Sequence, residues 1–62
     1  MNLRRLRNKS KLSQKQLANK LQISRQSISK WEQDISLPNI TYLIPLTLIL
    51  NCSLDELLKT LK

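Results

Sequence analysis

The sequence contains no glycine, no histidine and no phenylalanine, and it has one cysteine and two prolines in 62 residues. Each shortage excludes something. With no histidine, a single thiol and four acids, there is neither a metal-ligand cluster nor an acid–base pair, and the acids sit at caps and loops, so an enzyme is excluded on chemistry. Cys52 has no second cysteine to pair with, so no intramolecular disulfide forms and a reducing cytosol suits the chain; within its leucine-rich surroundings the thiol reads as a small buried hydrophobe. Met1–Leu12 has no apolar signal-like run, and the most apolar stretch, residues 42–50, is short and interrupted by Pro45. Neither a secretory signal nor a bilayer span is expected, and the expected location is cytoplasmic. Without glycine, the turns between helices must place residues such as Lys11, Gln22, Asp34 or Asn51 where glycine would fit at lower cost.

Acids are also missing from the first half. Residues 1–30 hold nine cations (Arg4, Arg5, Arg7, Lys9, Lys11, Lys15, Lys20, Arg25, Lys30) and no acid, a charge of +9. Residues 31–62 hold Glu32, Asp34, Asp55 and Glu56 against Lys59 and Lys62, a charge of −2, which completes the net +7. So uneven a split marks a face made for a polyanion. Nucleic acid is the first polyanion to consider. An anionic membrane is second, and the cations do not form the single amphipathic stripe that a membrane surface requires.

What the sequence does have is a repeated start signal. An apolar residue precedes a serine, and a second apolar residue follows five positions after the first: Leu12-Ser13 with Leu17, Ile23-Ser24 with Ile28, Cys52-Ser53 with Leu57. The hydroxyl caps a first helical turn and the apolar pair staples the entering chain. Ser13 with Gln16 and Ser53 with Glu56 complete capping boxes. Leucine and isoleucine dominate the apolar residues, only Trp31 and Tyr42 are aromatic, and nothing alternates as a strand does. The chain therefore reads as one all-α domain, with helices over about 2–9, 14–20, 25–33, 40–50 and 54–61. The inward residues are Leu3 and Leu6, then Leu17, Ala18 and Leu21, then Ile28 and Trp31. Helix 4 is expected to bury Leu43, Ile44, Thr47 and Leu50, and helix 5 to carry Leu54, Leu57, Leu58 and Leu61 along one stripe. Pro45 cannot donate to the carbonyl of Thr41, which predicts a kink or a late start in helix 4.

Only Leu21-Gln22-Ile23 separates helices 2 and 3, and so short a turn sets the second helix steeply across the first. At 100° per residue, Ser24 and Trp31 fall within about 60° of Ile28, on the inner side. The opposite face carries Gln26, Lys30 and Gln33, with Ser29 beside them and Arg25 at the edge. These are donors and acceptors of the kind that read base edges in a major groove: glutamine fits adenine, arginine and lysine reach guanine, and serine serves several edges. The same residues suit any solvated helix face; the short turn and the acid-free basic half tip the reading toward DNA. Glu32, on the flank of the core, is placed to pair with a basic residue.

Together, Leu12-Ser13-Gln14 through Leu17-Ala18, Ile23-Ser24-Arg25-Gln26-Ser27-Ile28-Ser29-Lys30-Trp31-Glu32 and Leu37-Pro38 resemble the phage-repressor and Cro-like helix-turn-helix family, the xenobiotic-response-element type of bacterial and phage regulators. The resemblance spans nearly the whole chain. It implies a compact five-helix, lambda-repressor-like domain that binds a double-stranded, (pseudo)palindromic operator as a homodimer, most often as a repressor, with no cofactor and no small-molecule site. It assigns base contacts to Arg25, Gln26, Ser29 and Lys30, and phosphate contacts to Gln14, Ser13, Ser24, Lys15 and Ser27. It further implies a structural ion pair between Arg7 and Glu32 and a dimer contact at Cys52, Leu54 and Leu58. The chain departs from the family at three turn positions that usually hold glycine (Lys11, Gln22, Asp34), at Pro45, and at Leu48, where a polar residue is usual. A competing reading is a protein-interaction module, an antitoxin-like partner, suggested by the apolar excess at Tyr42, Leu46, Leu48, Leu58 and Leu61.

Overall fold

Serine and asparagine side chains cap four of the five helix starts in the computed structural model, which describes residues 1–59. Five helices lie among those residues: α1 (Leu3–Lys9), α2 (Gln14–Leu21), α3 (Arg25–Glu32), α4 (Ile40–Ile49) and α5 (Leu54–Leu58), with no strand. Ser13 and Ser53 form complete capping boxes with Gln16 and Glu56, while Ser24 accepts from the amide of Ser27 and Asn39 from that of Thr41. The staple partners Leu17, Ile28 and Leu57 are fully buried. A cap of this kind stabilises its helix by about 0.5–2 kcal/mol, appreciable in so small a domain.

The helix ends are equally uniform. Lys11, Gln22, Asp34 and Asn51 all take the left-handed conformation, with φ of 59°, 58°, 58° and 51°. After each, the next amide reaches back to the helix: Leu12 to Arg7, Ile23 to Ala18, Ile35 to Lys30 and Cys52 to Thr47. These are Schellman endings made without glycine. Leu12, Ile23 and Cys52 serve twice, packing against the core as the last residue of one ending and preceding the serine cap of the next helix. Burial raises the Cys52 pKa, with the nearby Glu56 charge adding to it, so the side chain is held as an apolar thiol.

The core comprises Leu3 and Leu6 from α1, Leu17 and Ala18 from α2, Ile28 and Trp31 from α3, Leu46 from α4, Leu57 from α5, and Leu50 at the end of α4. The backbone amide of Asn2 donates to Leu57 at 2.8 Å, which ties the start of α1 to α5. Trp31 stacks at a tilt on Tyr42, with ring centroids 5.5 Å apart, and so joins α3 to α4.

Two helices differ from expectation. In α4 the buried residue is Leu46, and Ile44 is exposed; Leu43 and Thr47 are only partly covered. The inner row is Leu43, Leu46 and Leu50, and the outer row is Ile40, Ile44 and Leu48, spaced four apart. Every residue from Ile35 to Asn51 is uncharged, so no polar face marked the outside. Pro45 does not delay the helix, which starts at Ile40 on the Asn39 cap and runs through it. In α5 only Leu57 is buried, Leu54 and Leu58 are 43% and 46% exposed, and Lys59 is already extended, so the helix stops at Leu58. Leu61 lies outside the described residues.

Candidate nucleic-acid interface

α2 and α3 are joined by Gln22 and Ile23, with the left-handed Gln22 turning the chain and Ser24 restarting it. Burial of Ile28 and Trp31 fixes which face of α3 turns outward. On that outer side Arg25, Gln26 and Lys30 are exposed and Ser29 is half-buried. Together with Gln33 and Ile35 they line one shallow concavity of about 430 Å³. The Nε2 of Gln33 donates to the Ser29 hydroxyl at 2.8 Å, which fixes one wall. Ile35 joins them from the loop after α3. Its place here follows from the Schellman ending and not from any helical periodicity.

Behind this face runs a chain of polar contacts. The Glu32 carboxylate, whose side chain is 0% exposed, accepts from Arg7 Nε at 2.5 Å, from Arg4 Nε at 3.5 Å and from Gln14 Nε2 at 3.0 Å. Arg7 also donates to the Leu12 carbonyl at 2.7 Å. Burial on its own pushes the Glu32 pKa up, but hydrogen bonds from Arg7 and Gln14 and the charge of Arg7 outweigh it, and the carboxyl ends below the ordinary glutamate range. The other end of the Gln14 amide, Oε1, accepts from the Arg25 guanidinium at 3.3 Å. Gln14, a residue the resemblance gives to a phosphate, thus bridges the buried carboxylate of α3 to Arg25 on the outer face of that helix. Neither that bridge nor the approach of Arg4 is visible in sequence spacing, because the partners lie 11 to 28 residues apart.

Of the serines assigned to phosphate, Ser13 and Ser24 are N-caps, and Ser27 lies in the first turn of α3 against the Ser24 cap. Ser13 Oγ accepts from the Gln16 amide at 3.0 Å, and Ser24 Oγ from the Ser27 amide at 3.3 Å, with the Ser24 and Ser27 hydroxyls 3.1 Å apart. Capping uses an oxygen lone pair, so the Ser13 proton and one proton of the Ser24–Ser27 pair remain to be donated. Lys15 is exposed on the first turn of α2. Cys52 precedes the Ser53 cap of α5, Leu54 opens that helix and Leu58 ends it; the two leucines are open to solvent and the thiol is half-buried.

No group of three or more potential metal ligands occurs among the described residues. No helix among them is long and apolar enough to cross a membrane.

Comparison with known proteins agrees with this geometry. The Helix-turn-helix family matches residues 3–57. A relative, the HTH-type transcriptional activator BcrR of Enterococcus faecalis, is 41% identical over 56 residues, which is 90% of this chain and 28% of the relative. The chain thus spans less than a third of that relative's length. No solved structure matches the chain significantly. With an all-helical five-helix fold, the short α2–α3 turn and a family match over nearly its whole length, the chain belongs to the Cro/C1-type helix-turn-helix family of DNA-binding transcription regulators and not to a family of enzymes.

Proposed function

We propose that the domain binds double-stranded operator DNA sequence-specifically, with α3 in the major groove. The observation that carries this reading is the single concavity formed by Arg25, Gln26, Ser29 and Lys30 on the face of α3 opposite Ile28 and Trp31. Arg25 reaches acceptors such as the O6 and N7 of guanine, and Gln26 fits the donor–acceptor pair of adenine. Gln14, Ser13, Ser24, Lys15 and Ser27 hold the phosphates on either side and supply affinity without discrimination. Selection of bound sequences from a random duplex pool tests this reading. Arg25→Ala or Gln26→Ala then costs about 1–3 kcal/mol at the selected site and little on random DNA. Equal losses on both would remove α3 from the role of reader.

Two copies acting on a (pseudo)palindromic operator complete the proposal, since readers of this kind place two recognition helices about 34 Å apart. Cys52 with the exposed Leu54 and Leu58 supplies the contact. Leu54→Lys with Leu58→Lys is expected to shift sedimentation toward the monomer and to weaken a two-half-site operator far more than a single half-site. Unchanged sedimentation would place the contact elsewhere. Repression is the action such a domain exerts alone, because it needs only occupancy of the operator; activation, the role in the relative's name, needs an added contact with the transcription machinery. The second reading, a module that holds another protein, draws on the exposed row Ile40, Ile44 and Leu48, with Leu48 at 77%. A chain that binds no selected DNA and stays monomeric at every concentration would favour it.

A further inference from the structure

One of the four Schellman endings treats its last residue differently. Leu12, Ile23 and Cys52 are each held from both sides, by the ending behind them and by the serine cap ahead. Ile35 occupies the same position after α3, with its amide donating to the Lys30 carbonyl at 3.0 Å, yet it is 65% exposed. The reason is loop length. The next helix does not start until the Asn39 cap, and Pro38 takes the place before that cap and is buried in its stead. Ile35 is thus fixed at its backbone and free at its side chain.

Its position is specific. Ile35 lines the concavity of Arg25, Gln26, Ser29, Lys30 and Gln33, and it is the one apolar member of an otherwise polar wall. Those polar side chains suit the hydrogen-bonding edges of bases. Only thymine adds an apolar feature in the major groove, its C5-methyl group. We infer that Ile35 is a specificity-determining residue whose side chain packs against the C5-methyl of an operator thymine, beside the bases addressed by α3. The inference rests on the proposal that α3 reads the major groove and extends that reading to a loop residue. The backbone hydrogen bond and the stiff β-branched side chain give the contact the fixed geometry that selectivity requires.

The test uses the 62-residue chain and the duplex that a random-pool selection returns. Each thymine is replaced singly by deoxyuridine, which removes the methyl group and leaves the pairing unchanged. At one thymine per half-site the replacement is expected to weaken binding about fourfold, the effect of burying one methylene-sized group. Ile35→Ser, which removes the side chain from both copies, is expected to lose about fourfold per half-site on the thymine duplex and to become indifferent to the replacement at that position, whereas Ile35→Val keeps the sensitivity. An unchanged unfolding midpoint for Ile35→Ser, in keeping with its exposure, shows that the fold is intact. A wild-type protein indifferent to every replacement, or an Ile35→Ser variant still sensitive at the same thymine, overturns the inference and leaves α3 as the reader. So does an equal loss for Ile35→Ser on selected and random duplexes. A pool that returns no preferred sequence overturns the α3 reading itself and this inference with it.

Discussion

Replacing Lys11 and Gln22 together with glycine is expected to raise the unfolding midpoint by about 4–16 °C. Both residues are left-handed, at φ 59° and 58°, where a side chain with a Cβ crowds the following carbonyl at a cost of about 1–2 kcal/mol. Glycine removes that cost and returns about 0.5–1 kcal/mol of it through the greater freedom of the unfolded chain. The net gain is about 0.5–1 kcal/mol per site. In a domain of this size each kcal/mol moves the midpoint by about 4–8 °C. The two sites end different helices, so their gains add. Asn51→Gly, at a residue that tolerates the left-handed region better, should gain distinctly less. Thermal unfolding followed by circular dichroism decides the matter: no rise for the double variant, or an Asn51 gain as large as that at Gln22, would mean that these turns hold no strain.

The opposite effect is expected from Glu32→Gln, which should destabilise the domain by about 2–4 kcal/mol, against a total of about 3–9 kcal/mol for 62 residues. The carboxylate is closed off from solvent and the Arg7 side chain is only 12% exposed, so removing the negative charge leaves a guanidinium poorly solvated and uncompensated. The partly open Arg4 contributes little to this figure, because water screens it. The same group shapes the acid limb of the stability curve. The folded pKa of Glu32 is lowered, so its contribution is fully present above the unfolded value near 4.3 and is lost as pH falls through the folded value. The variant lacks that part of the decline. A Glu32→Gln protein with wild-type stability and a wild-type acid limb would show that the pair is energetically neutral.

How much could be read in advance depended on contrast between faces. The serine caps of α2, α3 and α5 are legible because each lies between two apolar residues at fixed spacing, and the four left-handed turns because no glycine was present to hide them. α3 shows its outer face because charged and polar residues alternate there with Ile28 and Trp31. In α4 that contrast is missing: with no charge from Ile35 to Asn51, Ile44 and Leu46 look alike, and only packing decides that Leu46 goes inside. Contacts between residues distant in sequence were illegible for another reason. Nothing local to Gln14 signals that its amide lies between Arg25 and Glu32, because their meeting depends on the crossing of α2 and α3.

Because Leu12, Ile23 and Cys52 each close one helix and open the next, the spacing across those three turns admits no change in length. A single inserted or deleted residue there would move an apolar anchor away from both helices at once, whereas a substitution leaves the register intact. Between α3 and α4 the two tasks are divided between Ile35 and Pro38. Relatives of this domain can therefore diverge by gaining or losing residues between those two positions, next to the concavity of α3, while the other connections drift only in composition.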